Sequence, residues 1–77
     1  MFEIGDIVKV NSKTRYSLPV GKIGTVVIKD EDGLHYGIEF GEGFRGHRLG
    51  GFLLSDTGFW IEDYALERTK QGNKDIY

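Results

Sequence analysis

The stretch Gly21-Lys22-Ile23-Gly24-Thr25-Val26-Val27-Ile28 constrains this chain more than any other. Two glycines three apart give a tight turn into a β-branched run, and such a run is a strand that can be buried on both faces. The apolar pieces on either side read as short strands that need such a centre, because no single hairpin is stable alone in water. Seventy-seven residues allow one domain with a small core. Without cysteine there is no disulfide and no thiolate metal site to support it, which fits a reducing, cytoplasmic setting. The start, Met1-Phe2-Glu3-Ile4-Gly5-Asp6, lacks the basic and apolar segments of a signal peptide, and no apolar run approaches a membrane span in length.

Taken in order, Gly5-Asp6 opens a first strand with Val8 and Val10 directed to the core. A polar loop follows over residues 11–20, with the single proline, Pro19, and an exposed mixture of Lys13, Arg15 and Tyr16. The central strand is expected from about Ile23 to Lys29, with Val26 and Ile28 on one face. Asp30-Glu31-Asp32-Gly33 reads as a hairpin turn rather than a calcium loop, for it lacks the glutamate and spacing that complete such a site. Residues 34–40 then alternate, placing Tyr36, Ile38 and Phe40 on one face and His35, Gly37 and Glu39 on the other. Gly37 leaves the outer backbone open to close approach by another group.

Residues 41–51 hold five glycines among Phe44, Arg45, His47, Arg48 and Leu49, a composition suited to a shaped loop or a bulged hairpin. Strand character resumes briefly at Phe52-Leu53-Leu54 and again at Phe59-Trp60-Ile61. Period two leaves two arrangements open there: either Phe59 and Ile61 face inward and Trp60 outward, or the reverse. One 3₁₀ turn is expected at Glu62-Asp63-Tyr64, then a closing strand from Ala65 to Arg68 and a flexible polar tail over residues 71–77. Short strands, turn chemistry and no helical periodicity predict an all-β domain over residues 1–70, with Val8, Val10, Val26, Ile28, Ile38, Phe40 and Leu66 in its core.

Gly5, Asp6, Val8, Val10, Gly21, Gly24 and Val26, followed by an aromatic-rich third strand, resemble the SH3-like barrels, particularly the KOW, CAP-Gly and MIB/HERC2 types. Residues 60–66 look like the SH3 segment in which a 3₁₀ turn with a tyrosine precedes the last strand. The pattern including Gly46-His47-x-Leu49-Gly50-Gly51 is similar to small proteins of bacteriophages and prophages. The resemblance implies an SH3-like, five-stranded, mostly antiparallel small barrel. The Gly-Lys-Asn-Asp-Gly motif of CAP-Gly grooves and the Ala-Leu-Tyr-Asp-Tyr start of proline-binding SH3 domains are both missing, so neither tubulin-tail nor proline-motif recognition carries over.

No nucleophile elbow, HExxH or phosphate-binding P-loop occurs, and Ser55-Asp56-Thr57-Gly58 has the composition of a turn. No catalytic group, cofactor or metal site is therefore expected, His35 and His47 being two histidines without a second ligand pair. The net charge of -2 argues against general nucleic-acid binding, although Lys9, Lys13, Arg15, Lys22 and Lys29 share a segment free of acidic residues. Candidate partner-binding residues are Tyr16, Phe44, Arg45, His47, Arg48, Phe52 and Trp60, which put cationic donors beside aromatic surface. The expected function is that of a small non-catalytic phage or bacterial accessory factor that binds a host protein. The alternative is a KOW-like nucleic-acid-binding module, drawing on the basic first third with Arg45 and Arg48.

Overall fold

The computed structural model describes residues 2–51, 53 and 56–69. The expected tail over residues 71–77 and the candidate Phe52 lie outside the described residues. Five strands form one antiparallel sheet: β1 Ile7–Val10, β2 Ile23–Lys29, β3 His35–Glu39, β4 Gly58–Glu62 and β5 Leu66–Arg68, with a 3₁₀ turn at Asp63–Ala65. Their order is β4-β3-β2-β1-β5, so the β-branched β2 lies at the centre, as its composition requires. The domain is all-β, but the ladder is not closed: among the described residues β4 and β5 remain its two edges, and the expected barrel reduces to an open sheet.

Val8, Val10, Val26, Ile38 and Leu66 are buried as expected, joined by Phe2, Tyr36, Ile61 and Ala65. The remaining core expectations, Ile28 and Phe40, are only half-buried. For Ile28 the reason is a bulge. Val26 pairs with Ile38, yet Ile28 pairs with Gly37, so Val27 is an extra residue and everything beyond it changes face. Phe40 follows the end of β3 and packs against the rim of the core.

Gly21 and Gly24 do different work. Gly21, at φ 85°, donates its amide to the Val10 carbonyl and turns the first loop back toward the sheet. Gly24 has no space for a side chain: a Cβ would stand 2.6 Å from Ile38 Cγ2 and 2.9 Å from Phe40 Cδ1. It thereby seats Phe40. The first loop is fixed from the other side by Glu62, whose buried carboxylate accepts the Thr14 hydroxyl at 2.8 Å and pairs with Arg15 Nε at 3.3 Å. At the far end of β2, Asp32 Oδ1 accepts the Leu34 and His35 amides and closes the β2–β3 hairpin.

Candidate functional site

Where the first loop, residues 11–22, faces the glycine-rich loop after β3, the surface holds a groove of about 430 Å³. Leu18, Lys22 and Ile23 contribute to it from one segment, Glu42, Phe44 and Arg45 from the other, and Phe40 joins them. Phe40 and Phe44 have ring centroids 4.4 Å apart, Phe44 meets Phe59 edge-on at 6.3 Å, and Tyr16 meets Phe59 edge-on at 5.2 Å. Such pairs contribute about 0.5–1.5 kcal/mol each beyond burial. The result is a continuous aromatic row with one side on the core and the other toward solvent. Beside it Leu18 and Ile23 line the groove and remain exposed, apolar surface that folding itself leaves uncovered.

The structure divides the residues that the sequence had grouped. Tyr16, Phe44 and Arg45 belong to the row and groove. His47 helps to build it: its backbone exchanges both hydrogen bonds with Gly58, its ring lies 5.1 Å from that of Phe59, and its Nδ1 accepts the Leu49 amide at 3.2 Å. Arg48 does not line the groove; its Nε is held by Asp56 Oδ1 at 3.3 Å. Trp60 takes the outward arrangement, since Ile61 and Phe59 face the core, and its ring edge lies over Gly37 on the opposite face of the sheet. Leu18, Lys22, Ile23 and Phe59 were not among the sequence candidates. The available signals were the apolar residues flanking Pro19 in an otherwise polar loop and the outward parity of Ile23 against Gly24 and Val26.

Leu49 is buried, but outside the core cluster. Cβ atoms on Gly37 and Gly58 would come within 3.0 and 2.8 Å of its side chain, so the two glycines form its seat on the outer face of β3 and β4. It is also the one non-glycine among the described residues at positive φ, 55°. That conformation costs about 1–2 kcal/mol, which burial of the leucine offsets. The glycine-rich loop is therefore stapled to the sheet by the Leu49 side chain and the His47 backbone, next to the segment that sets Phe44 in the row and Arg45 at the groove.

The other polar groups serve the fold. Burial raises the Glu62 carboxyl, but its own amide, the Thr14 hydroxyl and Arg15 together hold it below the usual glutamate range. Asp32 is lowered by the Leu34 amide first and by His35 after it. Asp30, Asp32 and His35 bring three donor atoms within 4.8 Å of one another, the grouping among the described residues that a metal ion could use. All three are at the surface, and both Asp32 oxygens are already engaged in the hairpin, Oδ2 with His35 Nδ1 at 2.9 Å. His35 and His47 do not converge, because they flank opposite ends of β4. A smaller hollow of about 250 Å³ between Leu34 and Tyr64 has its cation, Arg15, bound to Glu62. Asp63 Oδ1 has no donor among the described residues and is enclosed.

Part of the charge of the basic segment is met locally. Arg15 pairs with Glu62, Lys29 with Glu3, and Lys9 stands opposite Glu67. No helix among the described residues is long and apolar enough to cross a membrane. Comparison with protein-family models, curated proteins and solved structures finds no match to this chain.

Proposed function

We propose that this chain is a small, non-catalytic interaction module of SH3-like type that binds a protein partner through the groove between its first loop and its glycine-rich loop. The observation that carries this reading is the aromatic row from Tyr16 to Phe40, left open to solvent beside the exposed Leu18 and Ile23. Half-buried aromatic rings on a rigid support with an adjacent arginine are the composition of energetic centres in protein interfaces. Strand order and the 3₁₀ turn before β5 support the SH3-like comparison. Glu39 and Glu42 near the groove disfavour a long phosphate backbone, and the chain's net charge of -2 acts in the same direction.

Affinity capture from nuclease-treated bacterial lysate tests the reading, with the wild-type chain compared against Phe44→Ala/Arg45→Ala. A protein retained by the wild type and lost with the double variant is the expected result. Retention that disappears with nuclease treatment would favour the KOW-like alternative, in which Lys22 and Arg45 meet phosphates and bases stack on Phe44.

A further inference from the structure

The charges of the groove point to a narrower class of partner, and we infer that it takes an extended peptide in which a carboxylate stands two residues from a large apolar side chain. The inference rests on the reading of this groove as a protein-binding surface. Of the four arginines in the chain, three are held by carboxylates: Arg15 by Glu62, Arg48 by Asp56 and Arg68 by Asp6. Arg45 has no ion pair with any described residue, and neither has Lys22. Both line the same groove.

Against these two cations the groove sets one carboxylate, Glu42, which leaves a local excess of one positive charge in a chain whose total is negative. Glu39 does not line the groove, and its Oε2 accepts the Gly41 amide at 3.1 Å and the Thr57 hydroxyl at 2.9 Å. One incoming carboxylate balances the excess. A run of phosphates meets repulsion from Glu42 beyond the first contact.

A guanidinium presents a planar fork that matches a carboxylate, and it does so here beside an apolar floor. Phe40, Phe44, Leu18 and Ile23 offer that floor to an apolar side chain. Because floor and cations line one groove, anchor and carboxylate must project from the same side of the peptide. In an extended chain the nearest residues on one side stand two positions apart, and that spacing is the one proposed. Binding thus requires both features together.

The test is titration of isotope-labelled protein with four probes while the amides of Ile23, Gly43, Phe44 and Arg45 are followed by NMR. The probes are the capped peptides Glu-Ala-Phe-Ala-Glu, Gln-Ala-Phe-Ala-Gln and Glu-Ala-Ala-Ala-Glu, and an oligothymidylate. The first peptide is expected to shift these amides saturably, and each of the other two peptides to bind about tenfold more weakly. Arg45→Gln is expected to bring the Glu and Gln peptides to within about twofold of each other. Equal binding of those two peptides to the wild type, or a preference that survives Arg45→Gln combined with Lys22→Gln, overturns the acidic class while leaving a peptide site in the groove. Shifts from oligothymidylate alone, or from none of the probes, overturn the protein-binding reading together with it.

Discussion

The bulge at Val27 makes a prediction about two neighbouring core candidates that simple alternation reverses. Val26 is fully buried opposite Ile38, so Val26→Ala removes two carbons with no water to replace them. Transfer alone gives about 1.6 kcal/mol, and the cavity left behind raises this to about 2–3 kcal/mol. For a domain of this length, with a total stability of about 4–12 kcal/mol, that is a large fraction. It corresponds to a fall in Tm of roughly 10–20 °C. Ile28→Ala removes three carbons, and had Ile28 shared Val26's face it would cost about 3–4 kcal/mol. Past the bulge Ile28 is half-buried against Gly37, and the expected loss is about 1–1.5 kcal/mol. Urea unfolding followed by the fluorescence of Trp60, the chain's single tryptophan, measures both. A larger loss for Ile28→Ala than for Val26→Ala would refute the assignment of faces along β2.

Gly24→Ala drives a Cβ into the Glu39 carbonyl as well as into Ile38, so calorimetry should show a loss of about 2 kcal/mol or more. Gly37→Ala presses on Leu49 and Trp60 and should change Trp60 emission while speeding amide exchange at Leu49; unchanged exchange would mean that the leucine is not seated there. The Glu62 carboxyl is lowered by folding, so its contribution is complete above the ordinary glutamate value of 4.5 and is lost as pH falls through the lower folded value. Asp6, lowered first by the Glu3 amide and also by Arg68, changes stability in the same direction. Glu62→Gln should therefore flatten, without abolishing, the acid limb of a pH–stability curve; an unchanged limb would remove Glu62 from the account.

The strands were legible because their period is short and their ends carry turn residues. Ile23–Lys29 coincides with the expected strand, and the expected 3₁₀ turn occurs one residue later than predicted, at Asp63–Ala65. The bulge was not, since Val26-Val27-Ile28 is uniformly β-branched and any of the three could be the extra residue. Five glycines in residues 41–51 announced a shaped loop. Which side chain they accommodate depends on Gly37 and Gly58, each distant in sequence from Leu49, and no local pattern reports that contact. The same distance explains why Arg45 and Arg48, alike in the sequence, part company: Asp56 reaches one of them only after the loop has folded back to pair at Gly58. Trp60's orientation became readable once Ile61 was known to be core, a decision made by Tyr36 across the sheet.

The central claim is that the partner meets the groove rather than another part of the surface. Site-specific photo-crosslinking in bacterial cells tests this most directly, with the photoreactive residue placed at Leu18 beside the groove or at Glu67 on β5. The account predicts a discrete protein adduct from position 18, abolished by Phe44→Ala/Arg45→Ala, and none from position 67. A protein adduct from position 67 with none from position 18 would contradict it.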